Sequence, residues 1–379
     1  MDVFPVSRLE SAETPCYYYD LALLHRTLDA VIAAAGDYHV HYAVKANANP
    51  RILAEIASRG LGADCVSGAE VEAAVAAGFN PGSICFAGVG KTDKEITKAL
   101  SLGIGCFNVE SQPELAVIDE LAGRMGLVAN VAIRVNPNID AHTHHYITTG
   151  LAENKFGISV ELLPDVIEMA LSLKNVRLLG LHFHIGSQVL DMEPYAALCR
   201  KINELQARFP SLTLATVNVG GGLGIDYENP DAHPVPDFEA YFSVFRENLH
   251  LRPGQQLHFE LGRSVVAQCG SLVSRVVYVK KGLKKSFVIV DAGMSELLRP
   301  ALYGAHHKIE NLTAPKSAPE EVYDVVGPIC ESSDVFATDE KMPLTSRGDI
   351  VVFRSAGAYG ETMASHYNLR ELNQSIFKL

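Results

Sequence analysis

The sequence predicts an α/β fold joined to an all-β one: a (β/α)8 TIM-type barrel with a C-terminal β-barrel or sandwich domain. Three observations predict it. From about residue 25 to about residue 265, short apolar runs alternate with helical patterns, as βα units require. Eight such runs suit a closed barrel better than an open doubly wound sheet. After about residue 266 the helical pattern fades, and strand-like runs are separated by Gly, Pro and charged turns. A chain of 379 residues holds one barrel of about 250 residues and a second module of about 130.

The elements follow in order. Pro15-Cys-Tyr-Tyr-Tyr19 is strand-like, lies outside the barrel's repeat and is expected to pair with the C-terminal module. The barrel domain therefore spans 25–265, and residues 1–24 with 266–379 form the all-β domain. The expected barrel strands are His39–Val44, Gly62–Val66, Ser83–Ala87, Gly105–Val109, Val128–Val135, Leu179–His184, Thr213–Val219 and Leu257–Glu260. Between them lie helical segments at Ala69–Ala77, Asp93–Leu100, Gln112–Ala122, Ser159–Leu173 and Met192–Phe209. The first opens after Ser67, an N-cap residue with Glu70 three positions on. In the all-β domain, Val265–Val279, Ser286–Val290, Val322–Val326 and Ile350–Phe353 read as strands. Lys280, Lys281, Lys284 and Lys285 bracket Gly282 as a solvated hairpin turn, and Ala314–Glu321, with two prolines, is the expected mobile loop.

Composition narrows the function classes. The chain is 48% hydrophobic and 20% charged, as a globular protein is. A net charge of -12 argues against nucleic acid as a partner, because phosphate backbones demand basic faces. No apolar stretch is long enough to span a bilayer, and the N-terminus lacks a signal layout, so no membrane partner is expected. The seven cysteines are odd in number and never form Cys-x-x-Cys. Cys65, Cys85 and Cys106 lie in short apolar runs, as small hydrophobes do, and a reducing cytoplasm is the expected location.

Barrel chemistry sits at the C-terminal ends of the strands, and reactive residues gather there. Lys45 closes the first strand, where a partly desolvated amine can form a Schiff base with an aldehyde. His184 closes the sixth strand, placed to stack on an aromatic ring or to act as acid or base. Gly220-Gly221-Gly222 follows the seventh strand and allows close backbone approach to a phosphate, with Ser187 and Arg263 as further donors. Glu260 closes the eighth strand and needs a cationic or N–H partner, such as a protonated pyridine nitrogen. His182 shares a face with His184, but no carboxylate or cysteine stands nearby in sequence, and no metal is expected. His142, His144 and His145 follow Asn136-Pro-Asn138 and read as a solvated loop. Together, a Schiff-base lysine, an acidic ring-nitrogen partner, a flat stacker and a phosphate cup describe a site for pyridoxal 5'-phosphate. In the all-β domain, Arg299 with Tyr303 suits a carboxylate, Cys330 stands beside Glu331 between strands, and Tyr359 sits in a glycine-rich turn.

These motifs carry a resemblance. Tyr42-Ala-Val-Lys45-Ala-Asn47, Asn154-Lys-Phe-Gly-Ile158, His184-Ile-Gly-Ser187-Gln188, Gly220-Gly-Gly222, Glu260-Leu-Gly-Arg263, Arg299-Pro-Ala-Leu-Tyr303, Cys330-Glu331 and Gly357-Ala-Tyr359 span nearly the whole chain. It resembles the diaminopimelate decarboxylases, which are grouped with the eukaryotic ornithine decarboxylases and share a barrel with alanine racemases. The resemblance implies decarboxylation of meso-2,6-diaminopimelate to L-lysine, the last step of lysine biosynthesis. It implies that Lys45 carries the cofactor, His184 stacks on it and Glu260 pairs with its ring nitrogen. Ser187, Gly221, Gly222, Gly262, Arg263 and Tyr359 would hold the phosphate or its surroundings. Arg263, Arg299 and Tyr303, with Tyr359 nearby, would bind the retained carboxylate, Glu331 the distal ammonium, and Cys330 would donate the proton replacing carbon dioxide. It further implies a homodimer with shared sites. One departure is Leu261, where the family usually has proline. The rival readings are a decarboxylase of a related diamino acid, an amino-acid racemase on the same scaffold, and a non-catalytic relative that binds a partner or merely carries the cofactor.

Overall fold

The computed structural model describes residues 4–139, 155–371 and 374–378. They fall into two compact units. One comprises Thr27–Gly224 and Asp237–Val265; the other comprises the residues up to Arg26, Ile225–Pro236 and those from Val266 onward.

Strand β1 (Cys16–Asp20) belongs to the second unit. In the first unit, β2 (His39–Ala43), β3 (Gly62–Cys65), β4 (Ile84–Phe86), β5 (Cys106–Val109) and β6 (Ala129–Asn136) pair in sequence. A short β7 (Ile158–Ser159) flanks β6, and the ring continues through β8 (Val176–His182), β9 (Thr216–Asn218) and β10 (Gln256–Leu261) back to β2. Pairing of β5 with β6 closes the ring, and every pairing in it is parallel. All four residues of β3 are buried, as befits strands covered on both faces. The alternating pattern is thus a closed eight-stranded barrel.

Several helices begin where the sequence offers a side-chain cap, while Leu163–Ser172 and Glu193–Arg208 start without one. Thr92 and Glu95 form a reciprocal capping box for Asp93–Leu102, which ends at Gly103 in the left-handed region, φ 69°. Ser67 Oγ accepts from Glu70 N–H, but the Glu70 carboxylate reaches Val66 N–H instead of closing the box. Among the helices not expected are Leu21–Ala35, Pro50–Ala57 and Phe238–Asn248. The first buries Leu21, Leu24, Leu28 and Val31 at helical spacing.

Several element ends differ from expectation. The sixth expected strand is Val176–His182, so His184 stands two residues beyond it. The expected helix from Ser159 starts at Leu163, because Ile158–Ser159 pairs with Val135 and Asn136 as β7. Arg263–Val266 is a helical turn where a strand was expected to begin at Val265, and β11 (Gly270–Lys281) starts after it. Leu261, in place of the expected proline, completes β10 opposite Tyr42 and is fully buried.

In the second unit, β11 pairs antiparallel with β1, with β12 (Ser286–Val290) and with β16 (Ile350–Phe353). The β11–β12 hairpin turns at Gly282, whose N–H donates to Lys285. Outward lie β13 (Ile309–Asn311), β14 (Glu320–Val326), β15 (Val335–Pro343) and, beside β1, β17 (Ile376–Lys378). β13, β15 and β17 were not expected. Phe4, Leu9, Cys16, Tyr18, Val273, Ile350 and Val352 form one of its apolar clusters. The segment Ile225–Pro236, assigned from sequence to the barrel, groups with this unit. Arg354 pairs with Asp231, and Arg299 lies over the Tyr227 ring.

The barrel interior is polar toward the N-terminal ends of its strands. The rings of His39 and His41 stack on His258 at 4.7 and 5.1 Å, and His41 Nε2 lies 2.9 Å from His258 Nδ1. A cavity of about 330 Å³ there is lined by His41, Cys85, Thr216 and His258, and by Asn108 and Asn218.

Candidate active site

The first unit's site is built around Glu260, the fifth residue of β10. Closing the barrel brings three donors to its carboxylate. Asn108 Nδ2 and Asn218 Nδ2 donate to Oε1 at 3.1 and 2.7 Å, and His182 Nε2 lies 2.9 Å from Oε2. Only 5% of Glu260 is exposed. Burial pushes hardest against its charge, but His182 with its hydrogen bond, and Lys45, outweigh that and hold the carboxyl well below the usual range. Glu260 is therefore a buried anion, able to keep a proton on a ring nitrogen.

Lys45 lies in the one-turn 3-10 helix Val44–Ala46, immediately past β2. Its Nζ is 3.3 Å from Asp64 Oδ2; the Lys45 side chain is 36% exposed and that of Asp64 is 0% exposed. Burial, then repulsion from Glu260, raise the Asp64 carboxyl to about 7 against the opposing pull of Lys45. The amine thus stands between solvent and an interior carboxylate.

His184 accepts a hydrogen bond on Nδ1 from Gly221 N–H at 3.2 Å, which fixes that nitrogen as an acceptor. Burial, then the charges of Lys45 and Arg134, hold the ring well below its ordinary pKa, so it is a neutral, oriented plane. The three glycines are required by backbone crowding. A Cβ on Gly221 would overlap the Glu260 carbonyl, and one on Gly222, φ 112°, would lie 2.7 Å from Gly186 O and 2.9 Å from the Tyr195 hydroxyl. Gly262 packs so closely on the Lys45 turn that a Cβ would lie 3.0 Å from those of Ala43 and Ala46. Arg263 Nη2 donates to Ser187 Oγ at 2.8 Å, joining the two expected phosphate donors. The unit therefore gathers Lys45, His184, Ser187, Gly221, Gly222, Glu260, Gly262 and Arg263 at one barrel rim. This set fits pyridoxal phosphate: an amine for the aldehyde, an anion for the ring N–H, a guanidinium for the phosphate, and glycines where a side chain would fill the cup.

Arg299, Tyr303, Cys330, Glu331 and Tyr359 belong to the second unit. Arg299 and Tyr303 open and close the short helix Arg299–Tyr303. Arg299 Nη1 lies 2.8 Å from His307 Nε2, and its guanidinium is 4.6 Å from the centre of the Tyr227 ring. Cys330 is an exposed thiol, and exposed Glu331 accepts from Tyr367 Oη at 2.7 Å. Both sit in the β14–β15 loop, which buried Asp334 shapes by accepting from Ile329 N–H and Met294 N–H at 2.7 and 2.6 Å. Tyr359 follows β16 with φ 55°, in the left-handed region. His142, His144, His145 and Asn154 lie outside the described residues.

Four polar residues beside the expected ones were not singled out in the sequence: Asp64, Asn108 and Asn218 in the first unit, and His307 in the second. A partial signal existed for the first three, each a polar residue inside an otherwise apolar strand run. His182 was noticed only as a neighbour of His184; its Nε2 is committed to Glu260. A second buried pair, Arg134 Nη1 to Glu110 Oε1 at 2.7 Å, also escaped notice, and Glu110 accepts from Gly88 and Gly157 N–H besides. Among the described residues, no three His, Cys, Asp or Glu side chains converge as a metal site.

Comparison with known proteins shows the family and the fold. Residues 21–267 match the family described as pyridoxal-dependent decarboxylase, pyridoxal binding domain. A diaminopimelate decarboxylase of Bacteroides thetaiotaomicron is 58% identical over 375 residues, covering 98% of this chain and 97% of that protein. One from Aquifex aeolicus is 41% identical, covering 94% of this chain and 84% of its own length. The crystal structure of the Helicobacter pylori diaminopimelate decarboxylase complexed with L-lysine superposes with a TM-score of 0.92 at 39% identity, covering 98% of this chain and 93% of that one. A lysine/ornithine decarboxylase from Vibrio vulnificus shares the fold, with a TM-score of 0.85 at 22% identity and coverage of 98% and 96%.

Proposed function

The chain belongs to the pyridoxal-dependent decarboxylase family, and from that premise we propose that it decarboxylates meso-2,6-diaminopimelate to L-lysine and carbon dioxide, using pyridoxal 5'-phosphate. The observation that carries this reading is the buried Glu260 anion, triply hydrogen-bonded at the rim that also bears Lys45, in a chain 58% identical over nearly its full length to a diaminopimelate decarboxylase.

When bound, the cofactor supplies an electrophilic aldehyde and a ring that accepts the electron pair left by departing carbon dioxide. The chain's residues do the rest. Lys45 would hold the cofactor through its amine, with the Asp64 carboxyl 3.3 Å from that nitrogen. Glu260 would keep a proton at the ring nitrogen, and His184 would orient the ring. Ser187, Gly221, Gly222, Gly262, Arg263 and Tyr359 hold the phosphate and its surroundings. Arg263, Arg299, Tyr303 and Tyr359 grip the carboxylate that is retained, and Glu331 binds the far ammonium. Cys330 delivers the proton that replaces carbon dioxide. In a homodimer, Cys330 and Glu331 serve the partner's Lys45. All seven cysteines are free thiols, and no described helix is long and apolar enough to cross a membrane, which supports a cytoplasmic location.

The test is an assay of purified protein with pyridoxal phosphate against meso-diaminopimelate, ornithine, lysine and arginine, following both gas and product. Carbon dioxide and L-lysine from meso-diaminopimelate are expected; gas from ornithine or lysine alone would overturn the substrate assignment. Borohydride should fix the cofactor to Lys45, and absence of that adduct would overturn the cofactor assignment.

A further inference from the structure

We propose that His307 is a positioning residue for substrate selection, holding the guanidinium of Arg299 where it meets the far carboxylate. The inference rests on the role given to Arg299 above and adds the group that sets its geometry.

Arg299 opens a helix of only five residues, Arg299–Tyr303, which by itself fixes a long side chain poorly. Two of its neighbours help to do so. The guanidinium carbon lies 4.6 Å from the Tyr227 ring centre, a cation–π distance, and Nη1 lies 2.8 Å from His307 Nε2. A guanidinium only donates, so Nε2 of His307 is an acceptor. The other ring nitrogen, Nδ1, lies 2.8 Å from the Arg354 carbonyl oxygen, which only accepts, so Nδ1 carries the hydrogen. The two neighbours together select one neutral tautomer of His307 and fix the plane of its ring. Tyr227 meets that ring edge-on at 5.1 Å.

The residue behind the imidazole is itself held by ion pairs. Arg354 follows β16, and its guanidinium pairs with Asp231 at 2.7 Å and Glu310 at 2.8 Å. His307 is 2% exposed and Arg299 is 5% exposed, so water competes little for these bonds. A relay thus runs from a strand end, through a histidine of defined tautomer, to the arginine proposed to read the second carboxylate. Its effect is expected on recognition of that carboxylate more than on bond cleavage, because the hydrogen bonds of His307 run to the gripping group and to a backbone carbonyl.

The experiment compares the full-length holoenzyme with His307→Leu and His307→Gln, using meso-diaminopimelate, after thermal melts establish that each variant folds. Leucine fills the ring's volume without an acceptor; glutamine restores an oxygen near the place of Nε2. We expect KM to rise about ten-fold in His307→Leu with kcat within about three-fold of the parent, and most of the KM effect to be recovered in His307→Gln. Equal KM values in the two variants would mean that the ring acts only by filling space. An unchanged KM in His307→Leu would also overturn the proposal. Arg299→Gln separates the layers: if it raises KM while His307→Leu does not, only this inference fails; if it leaves KM unchanged, the reading of Arg299 fails and this inference with it.

Discussion

His182 Nε2 lies 2.9 Å from Glu260 Oε2, while His182 Nδ1 is buried with no hydrogen-bond partner among the described residues. The carboxylate oxygen only accepts, so Nε2 carries a hydrogen and the imidazole serves Glu260 as a donor. Its second nitrogen does nothing for the ring's own solvation. An unsatisfied buried nitrogen is tolerated here in exchange for a third hydrogen bond to the anion. His182→Leu should therefore lower kcat by about ten-fold or more, the worth of one bond to a charged group. It should also move the pH at which the bound cofactor's absorbance titrates. Unchanged values for both would show that Asn108 and Asn218 suffice.

Asp64 makes stability depend on pH. Its carboxyl is raised from 3.8 to about 7, chiefly by burial. Between those values the folded chain binds more protons than the unfolded one, so stability falls as pH rises through this window. The loss is complete above about 7, absent below about 4, and on the order of a few kcal/mol. Asp64→Asn cannot ionise and should lack this dependence. Thermal melts of both proteins from pH 4 to pH 8 test it: the parent should lose ground to the variant as pH rises. Parallel curves would exclude the effect.

Glu110 holds a buried guanidinium. The Glu110 and Arg134 side chains are 2% and 8% exposed, and Glu110 also accepts from Gly88 and Gly157 N–H. Glu110→Ala strands Arg134 and two backbone donors, and should destabilise the protein by roughly 3–5 kcal/mol. Urea unfolding measures this directly. A loss below about 1 kcal/mol would mean that water or another anion takes the place of the carboxylate.

The sequence made the barrel legible because each parallel strand, covered on both faces, reads as a short apolar run, and eight of them recur between helical patterns. Their ends were less legible. Where His184 stands relative to β8, or where β11 begins, is decided by pairing partners far away in the chain. Within the site, Lys45, His184 and Glu260 stood out because each closes or follows an apolar run at the end where barrels do chemistry. Asn108, Asn218 and His182 did not, since their use depends on closure bringing them to Glu260 across 152, 42 and 78 positions. His307 was hidden in the same way. Its partners are one residue of a neighbouring helix and one carbonyl 47 positions onward, neither implied by local pattern.

The cavity at the strand N-termini has Asn108 and Asn218 in its wall, and these same two amides hold Glu260. They form the partition between the reacting rim and the barrel's floor. His41 and Thr216 line the same cavity as the two amides that hydrogen-bond Glu260, the anion proposed to serve the cofactor ring. Mutational drift on that floor has a short path to altered catalysis, and a directed-evolution library confined to the mouth would pass it by.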